Sequence, residues 1–378
     1  MTNLHVHIVS FNVPYPPNYG GVIDVYEKIR ALRQQGVQVH LHCFAYGRGS
    51  APELEASCVE VHLYPRSGYR PGLPYIVASR RSAALLRRLD ADDYPILFEG
   101  IHTTYPLLQR RWPGRILLVR PQNVEAQYYR NLAALERNPF RKAHFRIEAR
   151  LLRNYEKRIA GLPVTFLCVH PADKAYFGAY TDRVEYLPSF VSFGESYGQS
   201  GVGGYVLYHG DLSVIDNALS AEWLLREVHR PEQGPWIIAG KSPSRGLRRA
   251  VAAKRGVKLW ANPGPSWMED CIRGAQVLLV HSFNTAGLKI KLLHALRAGR
   301  HCVVRRELAE GTGLEPLCVL VGTAGEYRDA IRRLHDVPVT EADLERRRAV
   351  LGSYGEGGVS KLLSLLYPES GGGPPQTM

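Results

Sequence analysis

Several lysines in the second half of this sequence stand beside glycine where predicted strands end. Lys241 directly follows a glycine in IIAGKSP, and Lys289 and Lys291 come soon after Gly287 in AGLKIKLL. Glycine lets a ligand approach the backbone closely, and the free N–H groups at a helix start attract anions. Gly287, Leu288 and Lys289 could offer such groups to phosphate, although each lysine could instead be a solvated surface charge.

A second set of candidates lies in the first half of the chain. Gly20 and Gly21 stand between a predicted strand and a predicted helix in PYPPNYGGVIDVYEKIRAL, where backbone N–H groups can meet a ligand. His102 lies just past a predicted strand in ILFEGIHTTYP, with Glu99 near enough in sequence to orient its ring. Arg120 in LLVRPQNVE also follows a predicted strand and could bind phosphate or an acceptor.

The elements that must position these residues follow a repeated pattern. Seven short apolar runs in the first half and six in the second alternate with helical patterns, which predicts two parallel sheets of the α/β class. A Gly- and Ser-rich break separates the two series. The predicted organisation is an N-terminal domain over 1–193, a linker over 194–204, a C-terminal domain over 205–358, a helix over 359–368 and a disordered tail over 369–378.

The amino-acid composition excludes several classes of protein and favours certain classes of partner. The 378 residues are 45% hydrophobic and 22% charged, which excludes a disordered polymer, a collagen-like repeat and a small disulfide scaffold. The formal net charge of +13 favours partners that carry phosphate: nucleotides, anionic lipids or nucleic acid. No apolar run reaches 18 residues and no leader pattern opens the chain, so we expect a cytoplasmic protein.

No metal site is expected. The six cysteines are scattered without a C-x-x-C pair, and no H-x-x-x-H spacing occurs on a predicted helix. Asp90 and Asp92 form a D-x-D pair, but they lie between a helix and a strand and predict a solvated turn.

Residues 130–158 form a strongly basic helical region. Arg146, Arg150, Arg153 and Lys157 fall at helical spacing on one stripe, and Phe140 lies near its start. This region could rest on an anionic membrane surface, or it could be a solvated face with Glu–Arg pairs. No nucleic-acid motif accompanies the charge, so we expect no nucleic-acid partner.

Four segments resemble the GT-B glycosyltransferases, in particular the retaining group 1 (family 4) transferases. Ala286–Val304 is similar to their G-x-K-x-K-x-L-E-A-x-A-x-G-x-P-V-V stretch, and the loop containing Gly20 and Gly21 looks like their acceptor-side loop. Tyr208–Val214 and Ile237–Pro243 resemble the first two strand-loop segments of their donor domain. The resemblance implies two doubly wound Rossmann-like domains that face a central cleft.

The resemblance also implies roles for individual residues. The diphosphate of a nucleotide-sugar donor would lie against Gly210, Lys241 and the helix start with Gly287, Leu288, Lys289 and Lys291, without a cofactor or metal. Gly20, Gly21 and Arg120 would bind the acceptor. His102 would contact the transferred sugar or the reacting centre, with Glu99 as its partner.

The sequence departs from the family pattern at one position. His294 stands where many members have the glutamate that binds the donor ribose, and histidine is not a permanently ionised acceptor. Glu310, in the segment Glu310-Gly311-Thr312 after a later predicted strand, could supply the missing carboxylate.

These features predict a transferase of the hexosyltransferase class. It would move a sugar from a nucleotide donor to a saccharide or lipid-linked acceptor. The resemblance implies retention of configuration and a role in cell-surface glycan synthesis, at the inner face of a membrane. One alternative is a nucleotide-sugar epimerase, which would need carboxylates in its cleft. Another is a non-catalytic nucleotide-binding homologue, which would bind the donor without turnover.

Overall fold

The computed structural model describes residues 4–191, 198–354 and 356–368. These residues form two compact units. Unit 1 contains residues 4–126, 148–191, 353–354 and 356–368, and unit 2 contains residues 127–147 and 198–352.

Unit 1 contains a seven-stranded parallel sheet in the order β3-β2-β1-β4-β5-β6-β7. The chain moves outward from β1 to β3, then crosses back to β4, so the switch point of the topology lies between β1 and β4. The strands are His5–Ser10 (β1), Gln38–Phe44 (β2), Glu60–Tyr64 (β3), Ile96–Glu99 (β4), Leu117–Arg120 (β5), Thr165–Cys168 (β6) and Val184–Tyr186 (β7).

Helices cover this sheet because successive strand residues point to opposite faces. Val6, Ile8 and Leu41 on one face form a buried core with Ile29 of the first helix. The helices of the first half are Gly20–Gln34 (α1), Pro52–Glu55 (α2), Tyr75–Ala78 (α3), Ala83–Leu89 (α4), Pro106–Gln109 (α5), Glu125–Leu135 (α6), Pro139–Ala160 (α7) and Pro171–Gly178 (α8).

Unit 2 repeats the plan with a six-stranded parallel sheet in the order β10-β9-β8-β11-β12-β13, whose switch point lies between β8 and β11. Its strands are Val206–Asp211 (β8), Trp236–Lys241 (β9), Val257–Ala261 (β10), Val277–Val280 (β11), His301–Arg305 (β12) and Val319–Val321 (β13). Its main helices are Ile215–Trp223 (α9), Arg245–Ala252 (α10), Pro265–Gly274 (α11), Ile290–Ala298 (α12), Ala324–Leu334 (α13) and Glu341–Leu351 (α14). Two parallel α/β sheets confirm the predicted fold class.

The units divide the chain differently from the predicted domains. Residues 127–147 group with unit 2, where the Asn131 amide donates a 2.8 Å hydrogen bond to Asn284 Oδ1. The final helix, Glu356–Leu366 (α15), packs Leu362 into the core of unit 1. Of the predicted linker, 194–197 lie outside the described residues, while Gly201 pairs with Val339 in unit 2. The predicted disordered tail, 369–378, also lies outside them.

Within the part of the chain that the structure describes, no helix has the length and hydropathy needed to cross a bilayer.

Candidate functional site

The loop after β11 reaches the switch point of unit 2, the usual ligand position of an open α/β sheet. Asp216, in the first turn of α9, fixes this loop. Its carboxylate accepts hydrogen bonds from Ser282 Oγ at 2.5 Å and from the backbone N–H groups of Phe283 at 2.8 Å and Asn284 at 3.1 Å. Sequence reasoning missed Asp216, since nothing in its local pattern marks a side chain that organises a distant loop.

Lys291 lies at the centre of this region and contacts three elements. Its ammonium donates to Asn217 Oδ1 at 3.1 Å, to the His281 carbonyl at 3.1 Å and to the Tyr208 hydroxyl at 3.3 Å. A Cβ on Gly210 would lie 3.2 Å from the Asn217 side chain, so glycine keeps that side chain close to β8. Burial lowers the pKa of Lys291 to about 7. The structure therefore brings together two predicted donor residues, Gly210 and Lys291, through Asn217.

The helix that carries Lys291 presents an uncapped N-terminus. Lys289 occupies the N-cap position of α12, no side chain caps the helix, and its first turn contains no acidic residue. The preceding Gly287 has φ of +66°, a left-handed conformation that glycine adopts freely. Leu288 lies between them, and the Lys289 ammonium donates to the Ala286 carbonyl at 2.7 Å. The positive end of the α12 dipole is thus open to an anion.

Two histidines near Lys291 are neutral at physiological pH. Burial lowers the pKa of His294 to about 4, with Arg297 acting in the same direction. Burial also lowers the pKa of His209 to about 3, and Lys291 and His294 reinforce this effect. His209 Nε2 has no hydrogen-bond partner among the described residues, so it can still accept or donate one bond. His209 lies in the segment Tyr208–Val214, but the sequence did not predict it as a site residue.

Lys241 is exposed at the carboxyl end of β9, paired in register with Asp211 of β8. It therefore lies at the same edge of the sheet as Gly210, and its predicted contact with phosphate stays a prediction.

In the turn after β12, polar groups form hydrogen bonds with one another. The Gly311 N–H donates to Glu315 Oε1 at 2.5 Å, and the buried Thr312 hydroxyl donates to the Ala309 carbonyl at 2.5 Å. Each contact uses one donor group of Gly311 or Thr312, and the donor-binding roles of both residues stay predictions. The Glu310 side chain is exposed and stays a candidate.

In unit 1, the loops after β1 and β4 bring two predicted residues together through Phe11. A Cβ on Gly21 would lie only 2.7 Å from Phe11 Cζ, and the Phe11 and His102 ring centroids are 5.4 Å apart. Gly20 begins α1, whose N-terminus has neither a side-chain cap nor an acidic first turn. Burial and, secondarily, Arg80 hold the pKa of His102 well below its usual value, so the ring is neutral.

In unit 1, the contacts of Glu99 and Arg120 differ from the predicted ones. Glu99 does not orient His102, because its carboxylate accepts from Lys28 Nζ at 2.5 Å and from the Gln122 amide at 3.4 Å. Arg120 is fully buried, and its guanidinium contacts groups of unit 1 instead of lying open to a ligand. Its Nε and one Nη form a bidentate pair with Asp24 at 2.8 and 2.9 Å.

Arg120 also donates to the backbone carbonyls of Leu187 and Pro188, at 3.1 and 2.9 Å. Burial alone would raise the pKa of Asp24, yet Arg120 and Lys28 hold it well below its usual range. Asp24, Lys28, Glu99 and Arg120 thus form a buried network of two acidic and two basic side chains.

The D-x-D pair is also not the simple solvated turn that the sequence predicts. The Asp92 side chain is only 16% exposed, and it accepts hydrogen bonds from His7 Nε2 at 2.8 Å and from Arg88 at 2.6 Å. Asp90 pairs with Arg110 at the surface.

No family model matches this sequence. The chain is 25% identical over 332 residues to an uncharacterized 44.6 kDa protein from the cps region of Klebsiella pneumoniae, covering 81% of this chain and 84% of that protein. Among solved structures, it is similar to sucrose-phosphate synthase from Thermosynechococcus elongatus, with a TM-score of 0.67, 15% identity and coverage of 97% and 98% of the two chains.

Two further solved structures carry ligands. The structure of TarM from S. aureus in complex with UDP has a TM-score of 0.63 and 9% identity, with coverage of 97% of this chain and all 100% of that chain. The structure of HepE from Anabaena in complex with UDP and glucose has a TM-score of 0.61 and 11% identity, with coverage of 96% and 98%. The chain therefore has the GT-B fold of these proteins, as its sequence predicts.

Proposed function

We propose that this chain is a glycosyltransferase that uses a nucleotide-sugar donor. The observation that carries the proposal is the basic position in unit 2, where the uncapped N-terminus of α12 adjoins Lys289 and Lys291. UDP in the TarM and HepE structures supports a nucleoside diphosphate as the ligand.

In the proposed reaction, the oxygen of an acceptor hydroxyl forms a bond to the sugar, the bond from the sugar to the diphosphate breaks, and the hydroxyl proton leaves with the diphosphate. The leaving diphosphate gains negative charge, which the α12 N-terminus and the two lysines stabilise by fixed dipole and charge. In unit 1, the N–H groups at Gly20 and Gly21 would hold the acceptor. His102, being neutral, would orient a sugar hydroxyl by hydrogen bonding rather than carry a positive charge. The resemblance to retaining transferases supports retention of configuration.

A saccharide or lipid-linked acceptor for cell-surface glycan synthesis is the substrate class that we propose. The cps-region relative favours polysaccharide synthesis, and the basic helix α7 favours a membrane surface. Arg146, Arg150, Arg153 and Lys157 are exposed on this helix, and Phe140 is 84% exposed at its start.

The proposal is tested by thermal unfolding with UDP, GDP, ADP, CMP and dTDP, each with and without EDTA. A nucleotide at 100 times its dissociation constant stabilises a protein by about 2.7 kcal/mol, so one base should raise the melting temperature selectively. We expect the same shift in EDTA, since the proposed phosphate ligands are lysines and backbone N–H groups. The absence of a shift with every nucleotide would contradict the donor site.

Replacing His102 with alanine should lower turnover and leave donor affinity nearly unchanged, because His102 belongs to unit 1 and the proposed donor ligands to unit 2. Sugar transfer and binding of the nucleotide that gives the largest thermal shift are measured on the same preparation. His144→Ala, on the exposed face of α7, is the matched control. Normal turnover of the His102 variant would remove this residue from the reaction.

The membrane proposal predicts that vesicles containing anionic lipid bind the protein, and that salt weakens the binding because exposed charges are screened. Changing Arg146, Arg150 and Arg153 together to glutamine should abolish most of the binding in a co-sedimentation assay. The matched control changes three exposed arginines of unit 2, Arg332, Arg333 and Arg346, to glutamine. Equal loss in both variants would indicate a response to net charge and contradict a specific surface on α7.

A further inference from the structure

Histidine and acidic side chains meet on one face of β1, β2 and β3, opposite the apolar face that packs against α1. The strand spacing H-x-H places His5 and His7 on this face of β1, and His40 and His42 on the same face of β2. The parallel register then sets His40 against Glu60 of β3. The donor and acceptor groups discussed above lie at or beyond the carboxyl ends of strands, whereas His7 is near the middle of β1.

We propose that His7, His42 and Glu60 bind one divalent transition-metal ion of the zinc type. One ligand atom from each of the three side chains lies within 4.8 Å of the others. His7 Nδ1 and His42 Nε2 are 2.9 Å apart, so a single proton lies between them when both rings are neutral. An ion in place of that proton would have two imidazole nitrogens and one carboxylate oxygen as ligands, a set typical of zinc with a fourth position left for water.

The outer nitrogens of both rings already have the partners that metal-bound histidines usually have. His7 Nε2 lies 2.8 Å from Asp92 Oδ1, and His42 Nδ1 lies 2.9 Å from the Tyr64 hydroxyl. When His42 Nε2 binds the ion, the ring proton moves to Nδ1 and the Tyr64 oxygen accepts it, so no proton is gained or lost. A carboxylate behind a histidine ligand fixes the ring and strengthens its bond to the metal.

Access and local charge determine how tightly this site binds. His7 is fully buried, but the Glu60 side chain is 27% exposed, so the ion enters from the Glu60 side. Arg88 pairs with Glu60 at 2.6 Å and with Asp92 at 2.6 Å. It therefore competes with the ion for the Glu60 carboxylate. The ion would join β1, β2 and β3 and does not depend on the proposed transferase activity.

The test uses untagged full-length protein that has been treated with EDTA and dialysed. We expect one equivalent of Zn²⁺ in a calorimetric titration, and visible absorption bands of tetrahedral Co²⁺ when cobalt replaces zinc. His42→Gln and Glu60→Gln should each weaken Zn²⁺ binding at least about 10-fold, and Asp92→Asn should weaken it about 10- to 100-fold. His144→Gln, an exposed histidine on α7, is the matched control and should bind like the original protein.

Arg88→Gln gives a result of opposite sign, because it removes a positive charge and one partner of Glu60, which keeps its contacts with His40 at 2.8 Å and His62 at 2.9 Å. We expect tighter Zn²⁺ binding in this variant, which a purely structural role of the cluster would not produce. If His42→Gln fails to fold by circular dichroism, Glu60→Gln and Arg88→Gln still decide the question, since both change partly exposed side chains. No stoichiometric Zn²⁺, or binding that none of these variants alters, would show a histidine cluster held by hydrogen bonds alone.

Discussion

Replacing Lys291 with methionine should weaken the binding of a nucleoside diphosphate by about 1.5–3 kcal/mol, or roughly 10- to 150-fold, if the ammonium exchanges one of its three protein hydrogen bonds for a charge-assisted contact with phosphate. Methionine keeps much of the aliphatic stem and removes the charge. Isothermal titration with the nucleotide that gives the largest thermal shift measures the effect. An unchanged dissociation constant would place Lys291 outside the site.

The control for this variant is Lys258→Met, an exposed lysine on β10 of the same unit. It removes one positive charge without touching the loop after β11, so it separates a local contact from the general attraction of a basic protein. Circular dichroism of the Lys291 variant is needed as well, because Lys291 also ties Asn217 to the His281 carbonyl.

The low pKa of Lys291 gives the binding a pH dependence. With a pKa of about 7 in the free protein, Lys291 is largely neutral at pH 8. A bound diphosphate favours the charged ammonium and raises its pKa, so binding at pH 8 should take up protons, and affinity should fall as pH rises above 7. Titrations in two buffers with different ionisation enthalpies measure the uptake. The methionine variant should lack it.

The strands were the most predictable part of this structure. Buried parallel strands are short continuous apolar runs, and both sheets have the seven and six strands that the runs predict. The glycines at loop-to-helix junctions were also predictable from the sequence, because a close approach such as that of Gly21 to Phe11 leaves no room for a side chain.

Partnerships between distant side chains were not predictable. Arg120 and Glu99 were selected because they end strands, but their partners, Asp24 and Lys28, lie on α1 and face inward. A polar pair at i and i+4 on an otherwise apolar helix face was the available signal.

The histidine cluster was missed for a related reason. Metal ligands were expected at helical spacing, whereas His5, His7, His40 and His42 follow the two-residue period of strands. Their proximity also depends on the register between β1 and β2, which a sequence does not state.

Replacing Arg120 with methionine should destabilise unit 1 by about 3–5 kcal/mol, the usual cost of leaving one partner of a buried ion pair without the other. Asp24 would keep Lys28 at 3.0 Å, Gln122 at 2.9 Å and the Phe190 N–H at 2.7 Å, but would lose its bidentate partner. The free energy of unfolding from a urea titration measures the effect. A loss below 1 kcal/mol would contradict a structural role for Arg120.

Two further variants separate charge from packing. Arg110→Met breaks the exposed pair with Asp90 and should cost no more than about 1 kcal/mol, because solvent screens such pairs. Asp24→Asn combined with Arg120→Met should recover part of the loss, because the amide removes the unpaired buried charge.

The loss of stability in the single Arg120→Met variant should also depend on pH, in a direction that can be stated in advance. In the original protein, Arg120 helps to hold the pKa of Asp24 below its value in the unfolded chain. In the Arg120→Met variant, burial would raise the pKa of Asp24. A carboxyl whose folded pKa is raised stabilises the fold at low pH and loses that contribution as pH rises through the folded pKa. The deficit of the variant relative to the original protein should therefore be larger at pH 7 than at pH 4. Equal deficits at the two pH values would show that Arg120 acts through packing and its carbonyl contacts rather than through the charge of Asp24.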